Sequence, residues 1–598
     1  MRRVLATAGH VDHGKSTLVR ALTGRDPDRL AQEKARGLTI ELGFAWTTLP
    51  SGTEVAFVDV PGHRRFIGTM LSGLGPAPAV VFVVAADQGW QAQSTEHLAA
   101  VRALGVRDLL LVVTRCDLAE PAETLVTARA HLEAAGLAVP HVCVAAPTGQ
   151  GMDELRAALD ALAARTPEPD PAAPVRLWAD RAFTVGGSGT VVTGTLGAGT
   201  LAVGDELDLL DAHGAPTRVA VRGLQSQDAP LEQVGPVSRV AVNLRRTAVD
   251  AVGRGAVLLT PGAWESSAVV DLALAPVDDT GAPPQQATLH VGSADVEAHV
   301  RPLGGHHVRL TLAAPLPWRV GDRAILRDPG SRRVWSATVR EVDPLPLRRR
   351  GAAAARAAAL EAAGGDPAAL RRLRLADRRV QDVALLERLG LAPASEDVAT
   401  PTEVRHGDVV VDPAAWSAWR TALSDAVAAH HRTQPLSAGV PLAEAAHAIG
   451  LPAQHATLVP ELARQVGLAV DDGRVHDPAA AGLGPAEAAV TQVEAWLRED
   501  PFAAPEAREL DDLGLGAREL AAAARAGRLL RLPGEVVLLP DAPARAMREL
   551  AALPQPFTLS VARQALGTTR RVAVPLLEHL DGRGWTRRVD GQQREVVR

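Results

Sequence analysis

Gly9-His10-Val11-Asp12-His13-Gly14-Lys15-Ser16 constrains this chain more than any other stretch. It fits G-x-x-x-x-G-K-[ST] and lies between an apolar run, Val4 to Ala8, that reads as a buried strand and a segment from Thr17 to Leu22 that reads as the start of a helix. Strand, tight glycine turn and helix in that order aim successive N–H groups and a helix N-terminus at an anion, so the loop suits phosphate. Lys15 is placed to reach the β- and γ-phosphates of a nucleotide, and the Ser16 hydroxyl to ligate Mg²⁺. The chain uses Arg almost everywhere, and Lys occurs only at positions 15 and 34. A planar guanidinium does not replace a compact ammonium at a phosphate cradle.

At 598 residues the chain is long enough for several domains. Its only cysteines, Cys116 and Cys143, both lie in apolar runs, which argues against a disulfide framework and suits a reducing cytosol. The first residues enter a strand directly, without a signal-peptide pattern, and no apolar run approaches the ~20 residues that span a bilayer. The expectation is a cytoplasmic protein with no membrane partner. A net charge of -6 does not point to nucleic acid, but residues 543–598 hold ten Arg against five Asp or Glu. A basic end on an acidic body suits contact with a polyanion.

Beyond the loop, apolar β-rich runs recur at Val55 to Val60, Ala79 to Ala86, Leu109 to Thr114 and Val142 to Ala146, with helix-like segments such as Ser94 to Leu104 and Thr124 to Ala135 between them. This alternation predicts an α/β domain with a parallel sheet over residues 1–170. Ligands of such sheets sit at the C-terminal ends of the strands, where the polar motifs fall. Asp59-Val60-Pro61-Gly62-His63 closes one run. Asp59 can hold Mg²⁺ through water, and the Gly62 N–H can approach a γ-phosphate unobstructed. Arg36-Gly37-Leu38-Thr39-Ile40 has the length to fold over the nucleotide and offer the Thr39 hydroxyl as a second Mg²⁺ ligand. Both segments would be ordered by the γ-phosphate and released on its loss. His63 is the candidate to orient the attacking water.

Together these three motifs resemble those of the translational GTPases of the elongation factor Tu type. The resemblance implies hydrolysis of GTP, with His63 positioning the water and Val11 and Ile40 gating it. Where the family usually has Asn-Lys-x-Asp, this chain has Thr114-Arg115-Cys116-Asp117. Asp117 keeps the carboxylate that accepts from N1–H and the 2-amino group of guanine, which adenine cannot supply. Arg115 is expected to stack on the purine face, while Thr114 lacks the amide of Asn. Ala145-Ala146-Pro147 stands in the other base-contacting region, without a hydroxyl and with no N–H at Pro147. Nucleotide held mainly through phosphates and Mg²⁺ is the alternative these changes leave open.

After a Pro-rich linker at residues 166–171, short strand-like runs with Gly-rich turns predict two antiparallel β-barrels, at 175–262 and 265–345. The stretch from Asp180 to Gly194 resembles the second domain of Tu-like factors. More narrowly, Asp180-Arg181 and Arg239 to Leu244 resemble the selenocysteine-specific, SelB-type members, which implies that Asp180, Arg181 and Arg239 line an aminoacyl pocket. A selenol is more acidic than a thiol, so paired arginines would distinguish its anion from serine or cysteine. Either arginine could equally form an ordinary barrel ion pair. Pro317 to Gly330 resembles the third domain of that type, with Val334-Trp335-Ser336-Ala337 where a glycine cluster is usual.

From Arg348 the chain becomes Ala-, Arg- and Leu-rich and helical. A loose repeat of helix, turn, helix and two short strands then predicts C-terminal tandem winged helices, at 352–413, 414–478, 484–541 and 542–598. In the last, Val572, Leu576 and Leu580 share one helical face, leaving Arg570 and Arg571 at its exposed start, while Arg587, Arg588 and Arg594 flank the wing. A solvated basic face is the plain alternative, and winged helices in general bind DNA. Thr569 to Glu578 resembles the SelB-type terminal module, which implies an RNA-binding role toward an mRNA hairpin. The resemblance as a whole implies a GTPase that delivers selenocysteyl-tRNA to the ribosome at UGA codons marked by that hairpin, acting as a monomer. Its rivals are another Tu-like translational GTPase and an RNA-tethering protein with little GTP turnover.

Overall fold

Seven consecutive apolar residues, Ala79 to Ala85, are all buried. Only a central strand covered by helices on both faces can bury such a run completely. The computed structural model describes residues 2–27, 39, 41–63, 67–75, 77–186, 189–249, 252–276, 281–391, 403–480 and 482–597. They form two compact units, residues 1–412 and 413–598.

The first unit begins with a six-stranded sheet: β1 (Arg2–Ala8), β2 (Gly43–Thr48), β3 (Glu54–Asp59), β4 (Ala79–Ala85), β5 (Asp108–Thr114) and β6 (His141–Cys143), in the order β2-β3-β1-β4-β5-β6. All neighbours are parallel except β2 and β3. That antiparallel edge hairpin, closed by a short turn at Leu49 to Thr53, leaves no strand–helix alternation to betray it in the sequence. Separate apolar cores cover the two sheet faces. The run expected to continue to Ala146 ends at Cys143, because Ala145 turns away to bridge Gln150.

Two six-stranded antiparallel barrels follow. The first closes through Arg176–Val185, Gly189–Leu196, Glu206–Leu210, Pro216–Ser226, Ser238–Leu244 and Val257–Leu259, and the second runs from Glu265–Pro276 to Val334–Val342. Arg176 joins them, with both its Nη atoms on the Asp322 carboxylate at 2.6 and 2.8 Å and its guanidinium over the Trp264 ring. Ser336, in the segment that replaces a glycine cluster, donates to Ala103 O at 2.6 Å and ties the second barrel to the sheet domain.

Helices Ala352–Ala363 and Pro367–Arg378 share one apolar core with the second barrel. A buried ionic network reinforces that contact. Asp271 receives Arg309 at 2.7 and 3.0 Å and Arg356 at 2.9 Å, while Glu341 receives Arg356 at 3.3 Å and also Arg374. Burial pushes the Glu341 carboxyl upward, and the two arginines oppose that shift.

The second unit contains three helix-turn-helix elements with short wings. Their turn-following helices are Val459–Gln465, Ala517–Arg525 and Arg570–Gly582. A 3-10 segment, Ala453–Leu458, directly precedes the first of these helices. Pro460 sits in the first turn of that helix, where its missing N–H is tolerated, and it could not have occupied a helix interior. One core runs from Leu483 to Leu580 through the last two modules.

Removing Asp271 would leave the buried Arg309 guanidinium without its carboxylate and take one of three carboxylates from Arg356. Asp271→Ala should lower the stability of the N-terminal unit by about 3–5 kcal/mol. Glu133→Ala, which removes an exposed helix-surface pair with Arg129, should cost less than about 1 kcal/mol. Urea denaturation of the two variants checks the contrast.

Candidate functional site

The phosphate loop follows β1 at the C-terminal edge of the sheet. Gly9 has φ 134°, and a Cβ there would lie 2.2 Å from Val83 O on β4, so only glycine fits. Gly14, in the left-handed region at φ 79°, caps helix Lys15–Thr23 and turns its N-terminus toward the loop. Thr17 lies exposed in the first turn of that helix, and Asp12 is exposed at the loop tip. Lys15 is buried, donating to Gly9 O at 3.1 Å and His10 O at 2.8 Å. Gly62 lies directly against it: a Cβ at Gly62 would be 2.6 Å from both Lys15 Nζ and Val11 N. Two motifs far apart in sequence therefore touch at backbone distance.

Beneath them the oxygen atoms expected for a metal form one cluster. Ser16 Oγ donates to Asp59 Oδ2 at 2.6 Å and lies 3.0 Å from Thr39 Oγ1. Thr7 Oγ1 donates to Asp59 Oδ1 at 2.7 Å and accepts the Val60 N–H at 3.2 Å. Two hydroxyls and one carboxylate are hard donors that suit a Mg²⁺ shared with phosphate and water rather than an all-protein cage. Among the described residues, no three His, Cys, Asp or Glu side chains come together as a metal site. His63, half-buried, is near enough to His10 to help depress its imidazole, after the larger effects of burial and Lys15. Ile40 and residues 36–38 lie outside the described residues.

Support for the loop comes from helix Ala92–Ala103, which the motifs did not reveal. His97 Nδ1 accepts the Gly9 N–H at 3.0 Å, and Gln93 Oε1 accepts the Val11 N–H at 3.2 Å. His13 is buried beneath the loop, 3.3 Å from Val83 O. No signal within helix 92–103 marks His97, because its partner is a backbone N–H distant in sequence.

The residues expected to recognise the base take other positions. Thr114 Oγ1 donates to His13 O at 2.7 Å, bracing the loop from below. The Arg115 guanidinium, expected on a purine face, is held by Asp87 at 3.1 Å and by the Asp12 carbonyl. Asp117 is exposed beyond it. Ala145 is buried and spends its N–H on Gln150 O at 3.0 Å, while Ala146 is half-buried beside it.

On the first barrel, Asp180 and Arg239 form a two-pronged pair that is largely buried, and the Arg239 guanidinium sits 3.7 Å over the Phe44 ring of β2. Arg181 donates to Glu41 at 2.5 Å. The barrel thus grips the segment that follows Thr39, through Glu41 and Phe44, neither of which the sequence singled out.

In the terminal module Arg570 is exposed at the helix start. Arg571 instead donates to Ala504 O and Pro505 O at 2.6 and 3.0 Å. Arg587 pairs with Glu595, and Arg588 reaches Glu578 and Asp581, both arginines staying exposed. Arg594 does not belong to the exposed wing surface: it is buried and bonded to Asp581 at 2.9 Å. The basic surface expected of the helix start and wing is therefore narrower, because one helix aspartate neutralises wing arginines from behind.

Burial holds two imidazoles neutral, His13 pushed down to about 4 and His97 to about 3. The unfolded chain takes up protons near pH 6.5 that the folded chain refuses, so this stability is complete above that pH and falls as acidity increases. Each histidine contributes up to about 1.4 kcal/mol per pH unit between its two values. Urea midpoints should drop from pH 7 through 6 to 5, and His97→Gln should flatten the drop.

The family "Elongation factor Tu GTP binding domain" matches residues 1–165, and "Elongation factor SelB, winged helix" matches residues 548–594. The chain is 31% identical to the selenocysteine-specific elongation factor of Escherichia coli (strain K12) over 618 aligned positions, covering 98% of this chain and 97% of that protein. It is 36% identical to the selenocysteine-specific elongation factor of Desulfomicrobium baculatum across 64% of this chain and 62% of that one. The crystal structure of a bacterial selenocysteine-specific elongation factor, EF-Sec, shares the fold over 100% of both chains, with a TM-score of 0.77 at 24% identity. Among the described residues no helix is long and apolar enough to cross a membrane. With a GTPase site at the end of its parallel sheet and this likeness along nearly its whole length, the chain belongs to the selenocysteine-specific elongation factors of the SelB type, a family of translational GTPases.

Proposed function

We propose that this chain, a cytoplasmic monomer, uses GTP and Mg²⁺ to carry selenocysteyl-tRNA to the ribosome at UGA codons marked by an mRNA hairpin. The observation that carries this reading is the cluster of Ser16, Thr39 and Asp59 beside Gly62, which abuts Lys15. Ser16 and Thr39 would hold Mg²⁺ directly and Asp59 through water, and the bound ion would supply neutralisation of phosphate charge. Lys15 exchanges two loop carbonyls for phosphate oxygens, and the Gly62 N–H meets the γ-phosphate. Loss of that phosphate removes a partner from both Thr39 and Gly62, which makes hydrolysis a switch. His63 orients the water within the gate of Val11 and Ile40, and Asp117 reads guanine.

Arg239 spends two of its five N–H donors on Asp180, so three remain for an anionic selenium and the end of the tRNA. Arg181 exchanges Glu41 for the same ligand. Arg570, Arg587 and Arg588 supply the RNA-facing charge of the terminal module, which tethers the complex and raises its effective concentration at one codon.

His63→Ala should slow ribosome-stimulated phosphate release by about 10²–10⁴-fold, with GTP affinity nearly unchanged. Equal rates in the variant would mean a tether that does not turn over. The tRNA that co-purifies with the GTP-bound protein should be the selenocysteine acceptor. Enrichment of methionine or serine acceptors instead would identify another kind of Tu-like factor.

A further inference from the structure

The C-terminal unit carries a second basic surface built from residues outside the terminal module. Where the second and third winged helices meet, Thr433 to Ala438 border a cleft of about 970 Å³ that Arg474, Arg518 and Arg525 also line, and no carboxylate does. None of these three arginines has an ion pair among the described residues. Elsewhere in the same unit Arg464, Arg498 and Arg528 are matched by Glu461, Glu494 and Glu487. Arginines left unmatched in one concavity concentrate positive potential there.

Two of them are oriented without being neutralised. Arg474 donates to Gly439 O at 2.9 Å and Arg525 to Leu436 O at 3.4 Å. Arg518 and Arg525 lie on helix Ala517–Arg525, the second helix of a helix-turn-helix pair, which is the element such motifs present to nucleic acid. They are two turns apart on one face, about 10 Å along the axis. Ala521 between them is small enough to let an extended backbone approach, and Thr433, Gln434 and Ser437 add hydrogen-bonding groups at the rim.

We propose that this cleft binds the phosphate backbone of single-stranded RNA, in the segment flanking the hairpin held by the terminal module. The assignment rests on the reading of the C-terminal third as an RNA-binding unit. Because the third and fourth modules share one core, an RNA held by the last is already tethered beside the third, and even weak backbone contacts there add to avidity.

The test uses the full chain and two labelled probes, a (U)20 RNA and bulk tRNA, each titrated at several salt concentrations. Arg518→Ala combined with Arg525→Ala should weaken (U)20 binding about tenfold and flatten the slope of log K against log salt by about 1.4, as expected for two single-strand phosphate contacts. Both side chains are exposed and alanine favours helix, so the fold should persist. The matching double lysine variant, which keeps the charge, should retain the slope. Unchanged (U)20 affinity and slope in the alanine variant overturn the single-strand assignment; if tRNA binding is also unchanged the cleft binds no RNA, and a loss confined to tRNA gives it to duplex RNA instead. If the unaltered chain binds neither probe, the cleft and the underlying RNA-binding reading fall together.

Discussion

Asp59 has no exposure to solvent, and a buried carboxylate is affordable only where donors surround it. Thr7 and Ser16 provide them from opposite sides. That arrangement requires β1 and β3 to be parallel neighbours, which the pairing of Leu5 with Phe57 and Ala6 with Val58 achieves. It also requires the helix to start directly after the glycine loop, so that Ser16 points back toward the strand end. Sheet order, loop length and helix start are thus three aspects of one constraint, and Gly62 reaches the phosphate loop because it lies just beyond the same strand end.

A different kind of bond joins the modules. The chain has almost no lysine, and its arginines meet carboxylates at the junctions: Arg176 grips Asp322 with both prongs between the barrels, while Arg356 on Asp271 and Arg374 on Glu341 tie the following helices to the second barrel. A planar fork fixes orientation as well as distance, which a point charge does not. Burial makes such pairs poor sources of net stability, because desolvation offsets the attraction. Their larger effect is on geometry, holding barrel to barrel and barrel to helix in one orientation while the apolar cores supply cohesion.

Residues whose partners are near in sequence, or whose spacing is a motif, were legible. The glycine loop, the ends of the strands, the two barrels and the helix-turn-helix repeats all rest on local rules of backbone and periodicity. Partners distant in sequence were not legible. Nothing near His97 announces that its ring takes the Gly9 N–H, and nothing near Thr114 shows that its hydroxyl serves the His13 carbonyl rather than a base. The arginines of the terminal helix and its wing are the clearest instance. In sequence they are five equal charges, whereas in the folded module Asp581 buries Arg594 and Arg571 turns to carbonyls of the preceding module.

The sequence alone determined that this chain handles a phosphate-bearing nucleotide, that its middle is barrel-forming and that its end is a series of winged helices, because each follows from residue type and spacing along a short segment. Tertiary structure decided how the parts are connected and which charges remain available. Hydrogen bonding and ion pairing depend on which side chains meet in space, so an arginine's role is fixed only when its carboxylate is known, as Arg115, Arg239 and Arg594 show on one side and the unmatched arginines of the C-terminal cleft on the other. The Gly9-to-Ser16 loop bridges both cases: its shape is written in eight consecutive residues, and its support comes from Asp59, Gln93, His97 and Thr114, which only the fold brings to it.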